Sequence, residues 1–125
     1  MSPWQRPDEA LVELLGEIVA EIEFDQPTEH RVMFGCPAYF TGGNMFAGVW
    51  QDTLMLRLPE DERAAVLVAG GHPFEPMPGR VMKQYVGLPA ALAAERAAAA
   101  VWVGKAAAFA ASLPPKEKKP RSKKR

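Results

Sequence analysis

From Met33 to Leu58 apolar residues alternate along the chain, and the alternation is cut twice by short polar turns, Gly42-Gly43 and Gln51-Asp52. Two-residue turns of this composition mark hairpins, so the stretch predicts a three-strand meander. Upstream, Leu11, Leu14, Leu15, Ile18, Val19 and Ile22 recur at the three-four spacing of one helix face, with Glu9, Glu13, Glu17, Glu21 and Glu23 elsewhere. Pro7 suits the first helical turn, Asp8 and Glu9 complement the positive end of the dipole, and Asp25-Gln26-Pro27 ends the helix. Downstream, Pro59-Glu60-Asp61-Glu62 opens a short helix that Gly70-Gly71 stops. Phe74 to Met77 and Met82 to Leu88 predict two strands around Pro78-Gly79. Pro89 then starts one long alanine-rich helix with a buried stripe of Leu92, Ala99, Trp102, Ala106, Phe109 and Leu113. Gly104 in its interior costs about 1 kcal/mol relative to alanine. The predicted order is α-β-β-β-α-β-β-α, an α+β fold in which helices cover one face of an antiparallel sheet as a two-layer α/β sandwich.

The turns also predict register. Val49 falls opposite Leu54, Ala47 opposite Leu56, Phe40 opposite Met45 and Ala38 opposite Ala47. One face then holds Ala38, Phe40, Met45, Ala47, Val49, Leu54, Leu56 and Leu58, and takes the helices. The other collects Tyr39, Thr41, Phe46, Gly48, Trp50, Thr53, Met55 and Arg57. Three aromatics and a methionine are unusual on a solvated face. Either cross-strand pairs or a loop account for them, or a protein partner or a second subunit covers the face. Tyr39, Phe46, Trp50, Met55 and Arg57 are the contact residues of that second reading.

Length adds a bound: 125 residues make one domain with a real core. Charge changes the picture more. Fifteen Lys/Arg balance fifteen Asp/Glu, but seven of the bases lie in the last ten residues: Lys116, Lys118, Lys119, Arg121, Lys123, Lys124 and Arg125. With one acid there, Glu117, residues 1–115 keep eight bases against fourteen acids. The sequence thus predicts an acidic folded domain over 1–115 and a disordered basic tail over 116–125. Such a tail binds nucleic acid weakly, without sequence preference and with steep salt dependence, or serves only to solubilise. No apolar run approaches a membrane span. The acidic N-terminal stretch is unlike a signal peptide, and the single Cys36 fits a reducing compartment, so the expectation is a cytoplasmic protein without membrane contact.

Residues that carry chemistry are sparse. His30 and His72 have no Cys or carboxylate at zinc-ligand spacing, and they read as parts of a helix-to-strand connection and of the Gly71-His72-Pro73 turn. Cys36 has no local partner to stabilise a thiolate and reads as a small half-buried thiol. Glu60-Asp61-Glu62 and Asp8-Glu9 sit at helix starts, where the dipole explains them. Gly42-Gly43-Asn44 leads into a strand rather than a helix and lacks a following Lys-Ser/Thr, so it is a turn and not a phosphate cradle. The loop Phe74 to Arg80 is stiffened by Pro76 and Pro78. Met77, Arg80 and Lys83 make it either a rigid turn with solvated charges or a docking loop for an anion or an acidic partner. Neither an enzymatic constellation nor a cofactor is expected.

Arg31-Val32-Met33-Phe34-Gly35, Gly43-Asn44-Met45-Phe46-Ala47, Leu54-Met55-Leu56-Arg57-Leu58, Phe74-Glu75-Pro76 and Met82-Lys83-Gln84-Tyr85-Val86-Gly87-Leu88-Pro89 together resemble the TfoX N-terminal domain family. The Trp102 helix ending in Ser112-Leu113-Pro114-Pro115-Lys116 is similar to the C-terminal part of its shorter, stand-alone members. The resemblance runs from about residue 10 to 116. It implies a two-layer α/β fold similar to type III secretion chaperones. Its name-giving members are bacterial competence regulators, proposed to act with the cyclic-AMP receptor protein, and they carry a second, C-terminal domain of helix-hairpin-helix character. Here a short basic tail stands where that domain would follow. The family supplies no catalytic residues. The combined expectation is a non-enzymatic domain binding a protein partner, in transcription regulation as the resemblance implies. A nucleic-acid accessory role through the tail is the alternative.

Overall fold

The computed structural model describes residues 7–33, 36–75 and 79–114. Helix α1 spans Glu9–Glu21, and the Asp8 carboxylate accepts a hydrogen bond from the Leu11 N–H at 3.1 Å. That bond satisfies one of the donors a helix start leaves unpaired. Four strands follow: β1 (Thr28–Met33), β2 (Cys36–Thr41), β3 (Asn44–Trp50) and β4 (Thr53–Arg57). Helix α2 (Glu60–Val68), β5 (His72–Pro73), β6 (Tyr85–Gly87), α3 (Ala90–Ala93) and α4 (Arg96–Ser112) complete the order. The six strands form one antiparallel sheet, ordered β1-β2-β3-β4-β6-β5, so the fold is α+β as expected.

Four expectations need correction. The meander has four strands, because Thr28–Met33, including His30, pairs with β2 instead of forming a connection. Ahead of β6 the strand is His72–Pro73, which places His72 in β5, and Phe74 and Glu75 of the expected Phe74 to Met77 strand lie outside it; the rest of that expectation falls outside the described residues. The C-terminal helix is two helices, parted where Glu95 takes an extended conformation with φ −98° and ψ 115°. That break frees α4 from the phase set by Leu92, and its buried stripe is Ala99, Val103, Ala106, Ala107 and Ala110, with Trp102 and Phe109 at the half-buried margin. Small side chains let α4 lie close on the sheet.

The fourth correction concerns register. The β3–β4 hairpin pairs Ala47 with Leu56 and Val49 with Leu54 as the two-residue turn requires. Between β2 and β3 the ladder slips: Phe40 meets Met45, but Tyr39 meets Ala47 and Ala38 meets Gly48. Phe46 is the extra residue of a β-bulge, and such an insertion reverses the facing of everything beyond it. Tyr39 and Thr41 therefore lie on the helix side, and Ala38, Phe40 and Met45 on the other.

The helix-side core holds Leu15, Ile18, Phe46, Leu54, Leu56 and Val103, each 2 % exposed or less. Arg96 bridges α4 to α1 through Glu17 at 2.6 Å and Glu21 at 2.9 Å. Lys105 reaches Glu62 of α2 at 3.3 Å. These pairs are exposed and screened, so they orient the helices more than they hold them. No helix among the described residues is long and apolar enough to cross a membrane.

Candidate functional site

The face of the sheet away from the core carries, from β3 to β6, Gly48, Trp50, Thr53, Met55, Arg57, Tyr85 and Gly87, as the register sets them. Of the five residues expected to make a contact surface, Trp50, Met55 and Arg57 are there. Tyr39 and Phe46 are not. Tyr39 packs against the helix-side core beneath α1, and Phe46 is fully buried with its ring 5.6 Å from that of Phe24. The slip at the bulge removes both from the open face.

What replaces them comes from farther along the chain. Phe74, directly after β5, stands edge-on to Trp50 at 5.9 Å with planes at 80°, and Tyr85 lies 6.4 Å beyond Phe74. Edge-to-face geometry suits the positive rim and negative face of aromatic rings. The Arg57 guanidinium sits over the Tyr85 ring at 5.7 Å and donates to the Gln84 side-chain carbonyl at 2.9 Å. Burial pushes the Tyr85 phenol above its ordinary value, and Arg57, which favours the phenolate, opposes that push. Met55 and Phe74 are buried, whereas Trp50, Arg57 and Tyr85 are half-buried. The face is therefore not an open apolar sheet: its rings are packed on one another and none is fully exposed.

The more accessible surface adjoins it. Val81 and Met82 are 51 % and 37 % exposed, between Arg80 and Lys83, both exposed. The segment is held by main-chain bonds from Met82 N–H to the Phe74 carbonyl at 2.9 Å and from Leu58 N–H to the Gln84 carbonyl at 3.0 Å. Arg63 of α2 donates to the Lys83 carbonyl. The one acid nearby in sequence, Glu75, accepts from the Gly79 N–H at 2.7 Å, which turns its charge toward the backbone of the turn. Arg80 and Lys83 thus flank two exposed apolar side chains in the chain, and Arg63 and Arg57 bond to the next residues, Lys83 and Gln84. Met77, grouped with Arg80 and Lys83 on sequence grounds, lies outside the described residues. So do Lys116, Lys118, Lys119, Arg121, Lys123, Lys124 and Arg125.

Sequence reasoning missed Phe74, Tyr85, Val81 and Met82 as site residues. The Arg57↔Tyr85 pairing spans 28 positions and has no turn to announce it. The signal that existed was the alternation Tyr85, Gly87 beside exposed apolar neighbours.

Among the described residues, the groups that carry chemistry do not converge. Cys36 is buried at the start of β2. His30 stacks on Tyr39 at 4.9 Å, and His72 sits against the position of Gly87. Among the described residues no group of three or more His, Cys, Asp or Glu could hold a metal ion.

Residues 17–110 match the family model for the TfoX N-terminal domain. No curated protein and no solved structure matches the chain.

Proposed function

The chain belongs to the TfoX N-terminal domain family, and on that premise we propose that it is a non-enzymatic domain that binds a protein partner, in the transcription-regulatory, competence-type setting of the family. The reading places the partner on the 79–85 segment and the neighbouring edges of Trp50, Arg57 and Tyr85. The observation that carries it is that exposed Val81 and Met82 stand between exposed Arg80 and Lys83, on residues 1–115 that are otherwise acidic. Apolar side chains flanked by cations suit an apolar segment flanked by carboxylates. Cytoplasmic location and a bacterial source belong to the same proposal.

The basic tail supports a second reading, weak attachment to nucleic acid. Seven bases in ten residues would release counterions from phosphates whatever the base sequence.

One experiment separates the two. Tagged full-length chain, a chain ending at Pro115 and an Arg80→Glu, Lys83→Glu double variant are used to recover partners from lysate, with and without nuclease. The first reading expects recovery that survives nuclease and loss of the tail but fails in the charge-reversed variant. Recovery that needs both tail and intact nucleic acid, and ignores the loop charges, would sink it in favour of the second.

A further inference from the structure

The two strands that border the sheet differ in kind. β5 has two residues, one of them a proline, whereas β1 has six and no proline. Short or proline-bearing edges resist further strand pairing, and long ones invite it. Among the described residues, β2 is the strand paired with β1.

The direction in which the main-chain groups on β1 point follows from one hydrogen bond. Gly42 N–H donates to the Pro27 carbonyl at 3.0 Å, one step beyond the Thr28↔Thr41 pair. Antiparallel ladders alternate between bonded and non-bonded pairs. Glu29 and Arg31 therefore aim their N–H and C=O at β2, while Thr28, His30 and Val32 aim theirs outward from the edge. The side chains of all five are exposed, Val32 by 64 %.

We propose that β1 pairs antiparallel with β1 of a second copy of this chain, about a two-fold axis through His30. In that register Thr28 faces Val32 of the second copy, His30 faces its own counterpart, and all three outward-facing residues on each strand are bonded. Glu29 then stands opposite Arg31 of the second copy, and Arg31 opposite its Glu29. These are non-bonded positions, where facing side chains come closest. Within one chain the two already form a bidentate pair at 3.1 Å, so the dimer closes a ring of four alternating charges.

Charge also excludes the neighbouring registers. A slip of two residues one way puts Glu29 opposite Glu29, and the other way Arg31 opposite Arg31; like charges directly opposite are destabilising. Each slip also leaves one outward-facing residue without a strand partner. A slip of one residue sets inward-facing main chain against outward-facing main chain and makes no ladder. Pairing by an axis normal to the sheet joins two six-stranded sheets into one, with both open faces on the same side. Arg31 already lies over the Phe40 ring on that side, at 4.7 Å. This inference stands apart from the proposed partner surface at residues 79–85, at the other end of the sheet.

The test is sedimentation velocity of the full chain over a concentration series, with circular dichroism to verify folding. The wild type is expected to associate reversibly to a dimer. Arg31→Glu and Glu29→Arg each place two like-charge pairs across the axis and weaken association about tenfold. The Glu29→Arg, Arg31→Glu double variant restores the wild-type association. His30→Pro removes an outward N–H and no bond to β2, so it gives a folded monomer. A wild type that stays monomeric at every concentration, a dimer indifferent to the single charge reversals, or a double variant that fails to recover would overturn the proposal.

Discussion

Arg57 lies over the ring of Tyr85, 5.7 Å from its centroid, across the β4–β6 ladder that pairs them. The cation and the burial of the phenol pull in opposite directions, and burial wins: the Tyr85 phenol ionises above its ordinary value of 10.0, as does Tyr39, again through burial. A tyrosine whose folded pKa is raised contributes stability that is fully present below pH 10 and is lost as pH rises through the folded value. These are the two tyrosines of the chain. An absorbance titration is therefore expected to show both phenols ionising above the ordinary range. In a Tyr39→Phe background, Arg57→Gln should move the remaining titration further up, because the group that favours phenolate is gone. A downward move would contradict this account.

Gly104 sits within α4, where an added Cβ would meet nothing within 4 Å. The packing reason that would justify glycine there is missing. Gly104→Ala should raise stability by about 0.5–1 kcal/mol through lower unfolded-chain entropy. A shift of the urea midpoint to higher concentration, with unchanged slope, is the expected reading.

Phe46 is fully buried and lined by Phe24. Phe46→Ala should cost about 3–5 kcal/mol, as for other truncated core aromatics. Chemical denaturation reads that cost.

Gly87 is the point where β5 approaches most closely. An added Cβ would come within 2.5 Å of His72 Cε1 and 2.7 Å of Thr53 Cγ2. Gly87→Ala is expected to destabilise by about 1–3 kcal/mol and to speed amide exchange around β5. Since the imidazole is one of the two obstructions, His72→Ala should recover part of the loss. The non-additivity of the pair is the quantity to measure.

The sequence made some of this legible and hid the rest for physical reasons. The Gln51-Asp52 turn is short enough to fix its own register, and Val49↔Leu54 and Ala47↔Leu56 follow directly. The bulge one hairpin earlier has no such marker: Met45-Phe46-Ala47-Gly48 reads as plausible alternation in either phase. β1 escaped notice because an edge strand with Glu29, His30 and Arg31 has little apolar pattern to show. The division between α3 and α4 falls at Ala94-Glu95, where neither glycine nor proline announces it. Of the contact surface, Trp50, Met55 and Arg57 could be placed from local turns. Phe74 and Tyr85 could not, since their positions depend on β6 crossing to β4.

The extra residue in β3 has a consequence for which changes this chain tolerates. It acts as a half-turn rotation of the β1–β2 hairpin relative to the rest of the sheet. Deleting Phe46 would not leave a hole; it would turn two of six strands inside out, carrying Glu29 and Arg31 inward and Tyr39 and Thr41 outward. Substitution at this point tests packing, whereas a change in length reverses the hairpin's polarity. What this stretch of sequence encodes is as much a count as a composition.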